Sequence, residues 1–258
     1  MKFALVNGER IEASKGAKGG CPVCGSVLVA YCGEVYVNHW KHKSRRNCDQ
    51  WWENETEWHR SWKNKFPKDW QEVIHTDDKT GEKHIADVKT GSGWAIEFQH
   101  SPIKVEERQS RNAFYPKLVW VLDGTRRKRD KPKFYKILDE YRLRSDDPRF
   151  ICVTGAEDCK LIKEWQVNNA PVFLDFQDVD KNNQPIIWFL FPLLRPREAY
   201  LWPFHQDKFI ELHKSNKFDK LIEKEIIPFI TKSVPKRKPQ HINIQPRRVV
   251  PRHKNRRF

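Results

Sequence analysis

The chain has 258 residues, with 49 Lys and Arg against 34 Asp and Glu, a formal charge of +15, and a mean hydropathy of −0.83. No run of about eighteen apolar residues occurs, which excludes a helical membrane span. The charge points to a polyanionic partner: nucleic acid fits, whereas a membrane surface would want an amphipathic helix with a clean apolar face, which is lacking. The opening MKFALVNGERIEASKG turns polar too soon for a signal peptide, so a cytoplasmic location is expected.

The first module, residues 1–50, is marked by CPVCG, in which Cys21 and Cys24 form a knuckle that aims two thiolates at one tetrahedral centre while Gly25 lets the chain turn. His39 and His42 in NHWKH follow, then Cys48, and four of these five suffice for a small ribbon-type structural Zn²⁺ site. The two histidines could mirror the knuckle, or His42 and Cys48 could close the site with His39 left outside. A redox CxxC would want a thioredoxin-like βαβ setting, but the flanking SVLVAYCGEVYVNHW alternates like a hairpin. Six cysteines in a cytosolic chain argue against a disulfide framework. Cys32, Cys152 and Cys159 are assigned to packing.

The second segment, 51–125, opens with a helix over Asn54 to Phe66, with Asn54 as its N-cap. At 100° per residue Trp58 and Trp62 form the buried stripe, Glu55, His59 and Lys63 an adjoining one, and Glu57 points to the polar side. A strand from Trp70 to Ile74, a turn TDDKTGE, and strands His84 to Lys89 and Trp94 to Gln99 come next. In WAIEFQ, Trp94, Ile96 and Phe98 take one face and Ala95, Glu97 and Gln99 the other. A three-residue GSG loop pairs Thr90 with Trp94 and sets Asp87 opposite Glu97, where two carboxylates repel unless a cation such as Mg²⁺ lies between them. Pro102 then opens a helix as its first residue, carrying Lys104, Arg108, Arg111 and Tyr115 on one face, and KLVWVLDG is a buried strand after a crossover.

A basic loop, RRKRDKPK, contributes Arg126, Arg127, Lys128 and Arg129. Residues 126–233 read as a C-terminal α/β or β-rich lobe, in which RFICVTG, AEDCKLIKEWQVN, PVFLDFQD, PIIWFLFPL and REAYLWPF alternate strands with one helix; it packs on the preceding core or serves a homodimer. Asp175 lacks a companion acid and reads as a turn-flanking residue. The tail, 234–258, holds nine basic residues and no acid between Lys236 and Arg257, with prolines throughout, a composition that predicts disorder.

As an ordered set, CPVCG, NHWKH, ETEWHRSWK, HIADV, AIEFQHS, ERQSRNAFY and WVLDG resemble the CoiA-like competence protein family over roughly residues 20 to 124. The resemblance implies a restriction-endonuclease-like PD-(D/E)xK core (helix, three strands, helix, strand) behind a small zinc-ribbon-like module. It implies that Asp87 and Glu97 are the metal-binding acids and that Glu55 completes a site for Mg²⁺ or Mn²⁺. Gln99 stands where the nuclease motif usually has lysine, a variation that CoiA-like sequences share, and a glutamine orients a water but cannot act as a base. Lys63 or Lys89 could substitute for it, and His59 and His84 complete the candidate set, His84 standing where arginine is often found. The expected activity is metal-dependent hydrolysis of DNA, in competence, recombination or anti-phage defence, with recombination or defence proteins as further partners. Lys104, Arg108, Arg111 and Arg126 to Arg129 would hold phosphates without reading bases. The alternatives are a DNA-binding recombination accessory protein on an inactive nuclease-like fold, and a zinc-dependent interaction module.

Overall fold

The computed structural model describes residues 1–34, 36–44, 48, 51, 55–77, 80–143 and 149–233. The predicted N-cap Asn54 and the basic tail lie outside the described residues. The chain is mixed α/β with two sheets.

The first sheet is antiparallel, with strands β1 (Phe3–Val6), β2 (Glu9–Glu12), β3 (Lys18–Gly20), β4 (Val27–Tyr31) and β5 (His39–His42) in the order β2-β1-β3-β4-β5. An Asn-Gly pair closes its first hairpin: Asn7 and Gly8 both have positive φ, 51° and 86°, as a two-residue turn matched to strand twist requires. Ala4, Leu28 and Trp40 fill the small core of this module, and Ile85 of the large sheet packs against it.

The second sheet contains β6 (Gln71–Thr76), β7 (Lys83–Lys89), β8 (Ala95–Gln99), β9 (Leu118–Asp123), β10 (Arg142–Leu143), β11 (Ile151–Thr154), β12 (Val172–Val179), β13 (Pro185–Leu190) and β14 (Glu198–His205). Their order is β10-β11-β14-β13-β12-β9-β8-β7-β6, with β9 parallel to both β8 and β12 and the remaining pairs antiparallel. The helices are α1 (Glu57–Lys63), α2 (Val105–Phe114), α3 (Asp130–Glu140), α4 (Lys160–Trp165), α5 (Gln206–Lys214), α6 (Phe218–Leu221) and α7 (Ile227–Ser233). Tyr115, Phe134, Ile137 and Trp165 close one face of this sheet, and Trp62, Phe209 and Phe218 close the other. Covered on both sides, β9 is apolar along its length until Asp123, and every residue of it is buried.

The predicted order of helix, three strands, helix and strand is found over 57–123. Thr90 donates its N–H to the carbonyl of Trp94 at 2.9 Å, and Val88 faces Ile96, so the hairpin register is the one that the GSG loop predicts. Other boundaries differ. The N-cap of α1 is Thr56, whose hydroxyl accepts the His59 N–H at 3.3 Å. The second helix begins at Val105 rather than at Pro102, because side chains hold the preceding carbonyls outside any helix: Arg126 Nη1 donates to Ser101 O at 2.6 Å and Gln99 Nε2 to the same oxygen at 2.9 Å. The predicted basic loop ends within α3, which has Pro132 in its first turn, where a missing N–H costs little. The strands of 126–233 continue the sheet of β6 to β9, since Val172 to Asp175 pair in parallel with Trp120 to Asp123. Their apolar side chains, Phe173, Phe189 and Leu201 among them, are buried in the chain's own cores.

Candidate functional site

Two polar clusters stand out. In the first, Cys21, Cys24, His42 and Cys48 bring one ligand atom each to within 4.8 Å of one another. The knuckle is built by the Cys21 N–H donating to Ser26 O at 2.8 Å and the Gly25 N–H to Cys21 O at 2.9 Å, with Gly25 at φ 72°. His42 reaches it from the buried face of β5, and Nε2 lies 3.4 Å from the Cys24 sulfur. His39, three residues earlier, falls on the opposite face, where Nδ1 meets Val37 O at 2.9 Å, so it is not among the ligands. Burial pushes the Cys24 thiol up, but hydrogen bonds involving Ser26, His42 and Cys21 outweigh it and bring Cys24 down to about 6. Burial and the adjacent Cys21 sulfur push Cys48 strongly up. Thiolates crowded this closely repel one another unless a cation joins them, and this donor set could hold a structural metal such as zinc.

The second cluster surrounds Lys63. Its ammonium lies 2.7 Å from Glu55 Oε1, 2.9 Å from Glu72 Oε1 and 3.7 Å from Asp87 Oδ1. Burial would lower the Lys63 pKa, but the charges of Glu72, Glu55 and Asp87 more than reverse this and keep the amine protonated. Arg60 holds the other side of Glu55 with two bonds, Nε at 2.9 Å and Nη2 at 2.7 Å. Burial pushes Glu55 up, yet Lys63 and Arg60 leave it below the ordinary carboxylate range. Glu72 also accepts the backbone N–H groups of Lys2, at 2.6 Å, and Phe3, at 3.1 Å, joining β1 to the large sheet. Sequence reasoning missed Glu72, which sits in an ordinary strand and takes a left-handed φ of 47°.

Glu97, 5 % exposed, is held through Oε2 by Arg111 Nη1 at 3.0 Å. Asp87 Oδ2 accepts the Phe98 N–H at 3.0 Å. The β7 to β8 register therefore keeps these two acids on neighbouring strands. As donors for a hard cation Asp87 and Glu97 fit, because Mg²⁺ is commonly held by one or two carboxylates with water and phosphate oxygens. Glu55 does not, because both of its oxygens are engaged by Arg60 and Lys63. Of the three acids expected to hold Mg²⁺ or Mn²⁺, Glu55 has both oxygens in ion pairs, Glu97 has one oxygen on Arg111, and Asp87 lies beside Lys63 and accepts the Phe98 N–H.

Of the other candidates, Gln99 is buried and turned onto Ser101 O. His59 is buried, with Nδ1 3.1 Å from the Thr56 hydroxyl. His84 meets Glu82 at 2.7 Å and stacks on Trp51. Lys89 lies 2.5 Å from His75 Nδ1, and burial lowers its pKa. His84 and Lys89 are thus each engaged with a neighbouring side chain, and among the described residues the Lys63 ammonium lies within ion-pair distance of Asp87.

The predicted phosphate contacts divide in two. Arg108 and Arg111 are buried, Arg108 giving its Nη1 to Glu164 O at 2.6 Å and Arg111 bonding to Glu97, Glu107 and Trp51 O, so both hold α2 to its surroundings. Lys104, Lys128 and Arg129 are exposed. Arg126 and Arg127 line an open cavity of about 840 Å³ that Arg108 also borders, together with Lys133, Lys160 and Lys163 and the acids Glu157, Asp158 and Glu164.

Asp175 is corrected too. It sits inside β12, 3 % exposed, and its Oδ2 accepts two indole N–H bonds, from Trp58 at 2.9 Å and Trp62 at 2.8 Å. Burial raises its pKa despite these bonds. Beside it in register, Asp123 holds His100 Nδ1 at 2.7 Å. The sequence offered no spacing signal for this pair, since 23 residues separate the partners.

No family model, no curated protein and no solved structure matches the chain. No helix among the described residues is long and apolar enough to cross a membrane.

Proposed function

We propose that the protein is a metal-dependent nuclease acting on DNA, built on a restriction-endonuclease-like core. One observation carries this reading: Asp87 and Glu97 stand on adjacent strands of the β7 to β8 hairpin, with the buried Lys63 ammonium 3.7 Å from Asp87. Asp87 and Glu97 would hold Mg²⁺ or Mn²⁺, which supplies an activated water and neutralises charge on the scissile phosphate. Lys63 stays protonated and adds positive potential where negative charge develops. Gln99 neither donates nor removes charge. The net +15 favours phosphate backbones without sequence reading. The order of elements over 57–123 and the ordered short motifs support the likeness to CoiA-like proteins, whose role in DNA processing this reading shares.

A second reading, DNA binding on a catalytically silent fold, is favoured by the Arg111 bond to Glu97, which already neutralises one of the two acids. Cleavage of plasmid and linear DNA, with and without added Mg²⁺ or Mn²⁺, decides between them. Chelators are avoided because they would strip the cysteine site as well. Hydrolysis that is lost in Asp87→Asn and Glu97→Gln, with DNA binding retained, is expected. Wild type and variants cleaving alike, or none cleaving, sinks the nuclease reading.

A further inference from the structure

The outer face of the N-terminal sheet is not consumed by any core. Antiparallel pairing places directly opposed side chains on one face, so Lys18, Val29 and Lys41 form one row and Tyr31 and His39 the next. Val27 belongs to the same face by the period of two, and the Lys43 N–H bonds to its carbonyl. The reverse face, with Leu28, Trp40 and His42, is the one committed to the small core and the cysteine cluster.

This outer face is aromatic, apolar and basic at once. Tyr31 is 49 % and Val27 52 % exposed, and Lys18, Lys41 and Lys43 are exposed beside them. The Tyr31 and His39 rings stack at 5.7 Å with an interplanar angle of 19°, and Lys41 Nζ lies 5.4 Å over the Tyr31 ring. The loop leading to β5 adds Tyr36, 74 % exposed. Among the described residues of these two rows and Val27, none is acidic.

We infer that this face is a docking surface for single-stranded DNA. Exposed rings offer stacking to unpaired bases, and lysines around them take the phosphates, the combination by which sheets and small barrels hold single strands without reading sequence. A duplex hides its base faces and could use only the lysines. An apolar protein partner would not call for a lysine on each flank of Val29. The inference rests on the nucleic-acid reading above but not on cleavage, and it names the strand form presented to the site.

The test is fluorescence anisotropy with full-length, zinc-loaded protein and no added Mg²⁺. It compares a labelled oligothymidylate of about 20 nucleotides with a duplex of equal length, over a salt series. Wild type is expected to prefer the single strand. Tyr31→Ala should weaken single-strand binding about tenfold with the duplex unchanged, and Tyr31→Phe should restore it. Lys41→Ala should reduce the single-strand salt slope by about 0.7. Equal single-strand affinity in wild type and Tyr31→Ala overturns the inference, as does a wild type without single-strand preference. Duplex binding and cleavage that persist in either case leave the nuclease reading standing, whereas a protein that binds neither strand form overturns both.

Discussion

The cysteine cluster and the Lys63 cluster both gather acidic groups, yet they are neutralised in opposite ways. Cys21, Cys24, His42 and Cys48 lie close enough to share one cation, and burial with the neighbouring sulfurs pushes the Cys48 thiol up. Around Lys63 the chain supplies its own cations: Lys63 and Arg60 answer Glu55, Lys63 and two backbone N–H groups answer Glu72, and Arg111 answers Glu97. A cluster of the first kind could be completed by a structural metal, whereas one of the second kind is neutralised largely by the chain's own side chains and backbone.

The widest separation between them should come from metal removal. Structural zinc in small modules contributes roughly 10 to 16 kcal/mol to folding, so Cys24→Ser is expected to lose the metal and unfold the first sheet, read by metal content and limited proteolysis. His39→Ala should retain one zinc per chain; loss of the metal there would break the assignment of His42 and Cys48. Next in size, Lys63→Ala removes the ammonium that Glu55 and Glu72 share and should cost about 3 to 5 kcal/mol in urea unfolding, with zinc content unchanged. Both glutamates have lowered pKa values, so the stability that they contribute is present above pH 4.5 and is lost as the pH falls below it. A Lys63→Ala variant as stable as wild type would show that the network carries no net stabilisation.

His213 represents a third solution, staying uncharged. It is fully buried among Phe209, Phe218 and Trp94, and burial lowers its pKa from 6.5 to about 3. A depressed pKa means that its contribution is complete above 6.5 and shrinks as the pH falls towards the folded value. His213→Phe should therefore lose about 2 kcal/mol less than wild type between pH 7 and pH 5. The smallest effects belong to Lys128→Ala and Arg129→Ala, where stability should stay within about 0.5 kcal/mol and each removed charge should lower the duplex salt slope by about 0.9. Arg108→Ala is the contrast, expected to destabilise the protein by loosening α2 from Glu164 O and Trp165.

Local patterns carried much of this. The alternation in WAIEFQ, the GSG turn and the apolar run LVWVL place β7, β8 and β9, and CPVCG with NHWKH and Cys48 marks the thiol site, while the choice of His42 over His39 came from the faces of β5. What escaped depends on contacts that are distant in sequence. Arg108 and Arg111 share a helix face that reads as solvated, but Glu97 and the carbonyls of Trp51 and Glu164 draw it inward. The start of α3 was hidden because its first turn lies inside a basic run. The union of β9 with β12 involves strands some fifty residues apart, which no periodicity announces.

The two indole bonds on Asp175 reach back 117 and 113 residues along the chain. The tryptophan helix that carries Lys63 is thus clamped by a strand synthesised long after it. A fragment ending at 125 would expose the edge of β9 and leave both indoles without their acceptor. Loop-closure over such distances is slow, so removing β12 takes away in one step the acceptor on which the tryptophan helix is clamped.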